Sequence, residues 1–266
     1  MIRPPFPSLL MRGISRAWPS PPAARVEPLT GLADSEWRRL AESFPLLGPD
    51  PGRDAARSRR TFTLVAWNEL SRRRPRPEWN PAPPSSEPQV LVTAHIGNLR
   101  LLRYFLRVEG IPVATIVDET HPTSGSTGKW NEWIDRRFPI AFPHTFPSDQ
   151  PHRLRAALRR GSLLAAIDRI HRPPPGGRDR SARVPFLGGA IAIELGALRL
   201  ARLAGVAARP IFVTAPAARL TITVGAPLPQ SEAEAVREFG AIFDRVSRES
   251  PGDFDGYTHR YLAGAG

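Results

Sequence analysis

From Gln89 to Glu249 short apolar runs alternate with stretches of helical periodicity, and this alternation constrains the fold more than any other feature of the chain. "QVLVTAH" (89–95), "IPVATIVD" (111–118), "PIAFP" (139–143), "SLLAAID" (162–168), "AARPIFVTA" (207–215) and "RLTITVGAP" (219–227) have the length and near-continuous apolar character of buried strands. Between them lie helical stretches. "GNLRLLRYFLRVEG" (97–110) is closed by Gly110, 150–160 by Gly161, and a helix over about 193–204, entered through "VPFLGGAIAI", by Gly205. Residues 130–138 and 231–249 are read as two further helices, and 169–183 as a polar loop. Strand–helix alternation predicts an α/β fold, a mixed, mostly parallel sheet flanked by helices and joined by right-handed crossovers.

The first third of the chain has a different texture. Residues 1–28 are rich in Pro and Arg and read as a flexible arm, because such a composition builds no packed core. Residues 30–44 and 54–74 carry helical spacing, and 75–88 hold six prolines, which exclude a helix interior. The expected organisation is a Pro/Arg-rich arm (1–28), a helical arm with a Pro-rich linker (29–88) and an α/β domain (89–266).

The 266 residues carry 37 Lys+Arg against 25 Asp+Glu, and Lys129 is the sole lysine. A formal net charge of +12 favours an anionic partner: phospholipid headgroups, an acidic carrier protein or nucleic acid. Nucleic acid is disfavoured, since the aromatics are not interleaved with the arginine clusters and no binding motif is present. The absence of Cys removes disulfides, Cys-ligated zinc, iron–sulfur clusters and thiol nucleophiles. His121, His144, His152 and His171 lack metal-ligand spacing with carboxylates, so no metal is expected, and no other cofactor is expected either. "TSGSTGK" (123–129) is not a phosphate-binding P-loop, because Trp130 follows the lysine, and no G-x-S-x-G elbow occurs. The longest apolar stretch, near 190–208, is cut by Glu194, Arg199 and Arg202, and no spanning helix is expected.

His95 ends the first strand of the α/β region and precedes a helix. Ligands of open α/β sheets bind outside the carboxyl ends of the strands, and a histidine there can act as a general base. Gly97 allows a close turn and Asn98 can cap the helix or orient a substrate. The alternative for the histidine is a capping or core-rim role.

"HIGNLRLL" (95–102) resembles the histidine motif of the lysophospholipid acyltransferase superfamily, in the "HFGNWE" form of the lipid A late acyltransferases. "ESFPLLGPDPGRDAARSRRTF", "EGIPVATIV", "LRAALRRGSLLAAIDR" and "RVPFLGGAIAIELGALRLARLAGVAARPIFV" resemble further blocks of that family in the same order, over roughly 42–227. The resemblance implies an acyltransferase-like fold. It also implies transfer of an acyl group from an acyl carrier protein or coenzyme A thioester to a hydroxyl or amine acceptor, without a metal, with His95 as base. The chain departs from the family at the motif's acid: the pattern H-x4-[DE] is here H-x4-R, with Arg100 in the sixth position. A second departure, "VDETHP", puts Asp118 and Glu119 where relatives carry a basic residue. Together these suggest a swapped pair, Arg100 with Asp118 or Glu119, leaving a carboxylate such as Asp118 to assist His95.

The expected catalytic residues are therefore His95 and Asp118. Asn98, Arg100, Asp168, Arg169, Arg183 and Phe186 are the expected substrate-binding residues: Asp168 and Arg169 at the end of a strand, Arg183 in a phosphate-binding loop, and Phe186 shaping an acyl pocket as its family counterpart does. The expected setting is cytoplasmic, or peripheral to the inner face of an anionic membrane. The rival expectation is a catalytically silent member that binds acyl chains or a carrier protein.

Overall fold

The computed structural model describes residues 77–117, 145–168, 180–215 and 220–253, together with the single positions 136 and 143; of Arg100 and Gly252 only the backbone is described. The expected N-terminal arm and helices, the "PIAFP" strand, the 130–138 helix save Arg136, Asp118, Glu119 and Arg169 lie outside the described residues.

Among the described residues seven strands form one sheet. They are β1 (Glu78–Asn80), β2 (Val90–Thr93), β3 (Val113–Val117), β4 (Thr145–Pro147), β5 (Ser162–Ala166), β8 (Ala208–Thr214) and β9 (Thr221–Val224), in the order β1-β9-β8-β2-β5-β3-β4. The run β8-β2-β5-β3-β4 is parallel throughout, β9 turns antiparallel to β8, and β1 is parallel to β9. A separate antiparallel hairpin comprises β6 (Ser181–Phe186) and β7 (Gly189–Glu194). Among the described residues the helices of more than one residue are α1 (Leu99–Val108), α2 (Pro151–Ala157), α3 (Gly196–Ala204) and α4 (Glu232–Glu249), followed by a 3-10 turn at Pro251–Asp253. This is the expected mixed, mostly parallel α/β architecture.

The apolar runs are unbroken because both faces of the central strands are covered. Along β2, Val90 and Val92 face one core with Leu163, Ala165 and Phe212, and Leu91 faces the other with Val113, Leu164 and Ile211. Helices α2, α3 and α4 close the first core, where Phe243 stacks on Phe186 at 4.4 Å between ring centres and on Phe212 at 5.8 Å. Helix α1 closes the second through Leu101, Leu102, Phe105 and Leu106.

Three features differ from expectation. The segment "RVPFLGGAIAI" is a hairpin rather than a loop running into a helix, and α3 starts only at Gly196. Its two-residue turn, Leu187–Gly188, has φ of 46° and 82°, the positive pair that matches a hairpin's twist. Leu187 tolerates this conformation because its side chain is fully buried and its N–H donates to Asp244 Oδ1 at 2.5 Å. Strand β4 lies at Thr145–Pro147, just beyond the expected "PIAFP" run. The Pro-rich segment read as a linker contributes β1, which as an edge strand tolerates the prolines around it.

Candidate active site

Parallel pairing of β2 with β5 builds the site. The pairs Val90↔Leu163 through Thr93↔Ala166 hold a constant offset of 73 residues, and Ile167 N–H donates to the Thr93 carbonyl at 2.9 Å. Carried two residues past the strand ends, the same offset sets His95 against Asp168. Two residues remote in sequence thus meet at the carboxyl ends of adjacent strands, where an open α/β sheet binds ligands.

The Asp168 carboxylate takes hydrogen bonds from one residue at three points. The His95 backbone N–H lies 3.0 Å from both Oδ1 and Oδ2, and His95 Nδ1 lies 2.9 Å from Oδ1. The Asp168 side chain is fully buried, whereas that of His95 is 24% exposed. With both oxygens accepting from the backbone N–H, the network assigns the Nδ1 contact as N–H donating to the carboxylate. That tautomer leaves the lone pair on Nε2. The carboxylate fixes the ring's rotation as well as its tautomer, the standard way of orienting a histidine base.

The turn that carries His95 is held from its other side. Gly97 has φ of 66°, a conformation only glycine adopts at low cost, and its N–H donates to the Asp253 carbonyl at 2.6 Å. The buried Asp253 also accepts the N–H of Ala215, just past β8, through Oδ2. The 3-10 turn therefore ties the histidine turn to the end of β8, and the site spans β8, β2 and β5. Asn98 caps α1: its Oδ1 accepts the Leu101 N–H at 3.2 Å and its carbonyl the Leu102 N–H at 3.1 Å.

Several expected roles change with this geometry. Asp168, expected to bind substrate, is buried with both oxygens engaged by His95, and is the carboxylate that orients the histidine. Asp118, expected in that role, lies outside the described residues, as does Arg169, and no side-chain position is described for Arg100. Asn98 spends its side-chain oxygen on the helix cap rather than on a substrate. Phe186 is 1% exposed and stacks on Phe243, so it is a core residue and presents no surface to a pocket. Arg183 sits on β6, exposed, beside a groove described below. Asp253 was not foreseen; nothing local in "SPGDFDG" signals that it braces a turn more than 150 residues earlier.

Among the described residues no cluster of His, Asp or Glu could hold a metal ion, and no helix is long and apolar enough to cross a membrane. The chain matches no protein-family model, and no curated protein matches it.

Proposed function

We propose that the chain is an acyltransferase that moves an acyl group from a carrier-protein or coenzyme A thioester to a hydroxyl or amine, with His95 as general base and Asp168 as its orienting carboxylate. The observation that carries this reading is the 2.9 Å contact between His95 Nδ1 and the buried Asp168 at the carboxyl ends of two parallel strands. Nε2 would take the acceptor's proton as its oxygen or nitrogen attacks the thioester carbonyl. The carbon–sulfur bond then breaks, and the imidazolium returns the proton to the departing thiolate. The resemblance of "HIGNLRLL" to the acyltransferase histidine motif gives the substrate class.

The replacement of the motif's acid by Arg100 argued for a silent protein. The Asp168 pairing weighs against that alternative, because it supplies a carboxylate from the neighbouring strand. The excess of arginine suits an acidic carrier protein or an anionic inner membrane face, with a binding strength that falls as salt is added.

The test is thiol release from a panel of acyl-carrier-protein and acyl-coenzyme A thioesters, each offered with hydroxyl and amine acceptors. His95→Ala should lower turnover by roughly 10²–10⁴-fold, and should lower the unfolding free energy by about 1–2 kcal/mol because the buried Asp168 loses the Nδ1 hydrogen bond while keeping the backbone N–H. Turnover equal in parent and variant would remove His95 from the mechanism, and no thiol release from any thioester would leave the silent, acyl-binding alternative standing.

A further inference from the structure

Helix α4 turns one side to the core through Val236, Phe239, Gly240 and Phe243. Its adjoining side, bearing Ala233, Arg237 and Ala241, runs beside strand β6. Gly240 lets the two elements meet closely, since a Cβ there would lie 2.8 Å from Val184 Cγ2. Above this contact the short side chains of Ala182, Ala233 and Ala241 fail to fill the space. A groove of about 580 Å³ remains, floored by Ala182, Val184, Leu195 and Val236. That volume lies within the roughly 300–1,000 Å³ of small-molecule sites.

The charges around the groove are of two kinds. Its acids are already engaged: Glu232 accepts from Arg199 at 2.6 and 2.9 Å, and Asp244 accepts from the Leu187 N–H at 2.5 Å and from Arg248 at 2.6 Å. Its cations, Arg183 and Arg237, are exposed and make no hydrogen bond or ion pair among the described residues. An apolar floor beneath two guanidinium groups that have no acidic partner among the described residues matches an anionic amphiphile. One guanidinium fork satisfies the two oxygens of a carboxylate, whereas two forks suit the three terminal oxygens of a phosphate monoester.

We infer that this groove binds a single-chain lipid phosphate, with the alkyl chain along Ala182, Val184 and Val236 and the phosphate between Arg183 and Arg237. The site is separate from the His95–Asp168 pair and does not depend on the proposed transfer reaction. Hairpin residue Ile193 pairs with Ala182 on one side and bridges to Asp168 on the other, so the groove begins two strands away from that pair.

The experiment is calorimetric titration of the full chain, without thioester, using dodecyl phosphate below its micellar concentration. The comparison probes are inorganic phosphate, dodecanoate and a neutral dodecyl ether. Dodecyl phosphate should bind more tightly than all three. Arg183→Ala and Arg237→Ala should each weaken it by roughly 10- to 100-fold, the worth of a charge-assisted hydrogen bond. Ala241→Trp, which fills the groove from an exposed helix position, should abolish binding. Arg155→Ala, on an exposed face of α2 outside the groove, should bind as the parent does. Equal binding of the neutral ether, or of inorganic phosphate, would overturn the inference. So would unchanged affinity in Ala241→Trp, or an equal loss in Arg155→Ala, which would assign binding to overall charge.

Discussion

Asp168→Asn isolates what the buried carboxylate does. The substitution conserves shape and removes the charge and one acceptor. In the parent, two oxygens of a fully buried group receive the His95 backbone N–H and the Nδ1 proton. An asparagine can keep its one carbonyl oxygen on the backbone N–H, but its NH₂ then faces a second donor at Nδ1. The ring must shift its proton to Nε2 or swing towards solvent, which its 24% exposure permits. Hydrogen bonds to charged groups contribute about 1.5–3 kcal/mol and water recovers part of the ring's loss, so Asn should cost about 1–2 kcal/mol. Asp168→Ala leaves the backbone N–H without an acceptor and should cost about 2–4 kcal/mol. Urea unfolding reads both changes as shifts of midpoint at constant slope. Nitrogen-15 spectra of the imidazole should show the proton on Nδ1 in the parent and not in the Asn variant. If Asn unfolds with the parent and its ring keeps the proton on Nδ1, the carboxylate neither anchors the turn nor sets the tautomer.

Two further outcomes follow from the packing. Gly240→Ala drives a methyl to 2.8 Å from Val184 Cγ2 and 2.9 Å from its Cβ, and should cost about 1–3 kcal/mol by overpacking; an unchanged urea midpoint would show that α4 and β6 separate freely. The hydrogen bond from Arg199 holds the Glu232 carboxyl below its ordinary value of 4.5. Its contribution is then complete above that value and lost as pH falls through the lower folded-state value. Glu232→Gln should lower the melting temperature slightly at pH 7, by an amount that shrinks as pH falls below 4.5, and an effect independent of pH would dismiss the ion pair.

Most of the sheet was legible because its strands are buried on both faces and so read as continuous apolar runs. Val90–Thr93, Val113–Val117, Ser162–Ala166 and Ala208–Thr214 all fall inside the predicted strands. Elements with weaker patterns were lost. Strands β1 and β4 are three residues each and sit among prolines, so their existence depends on edges offered by β9 and β3 rather than on their own sequence. In the hairpin, "GGAIAI" runs into a helical sequence. Its signals are the alternation in "ARVPF" and a two-residue turn ending in glycine, but Leu187 stands at a position where bulky residues are rarely found with positive φ.

The site was half legible for a related reason. A motif describes what is near in sequence, so it places the carboxylate partner of His95 five residues on, where Arg100 stands, and the second departure points to Asp118 at the end of the next strand in the chain. In space β2 lies between β8 and β5, and β5 is separated from it in sequence by the whole of β3, β4 and their connections. The length of the crossover does not set the register, because a crossover of many residues closes on any of several pairings at almost equal entropic cost. The register comes from the side chains. Each one-residue slip would move Leu163 and Ala165 out of one core and Leu164 out of the other. The packing that holds Val90 against Leu163 is therefore the same packing that holds His95 against Asp168, five residues along at the same offset. Core and dyad are one register read at two heights. The charged pair needs no sequence signature of its own beyond a histidine and an aspartate each two residues past the end of a buried strand.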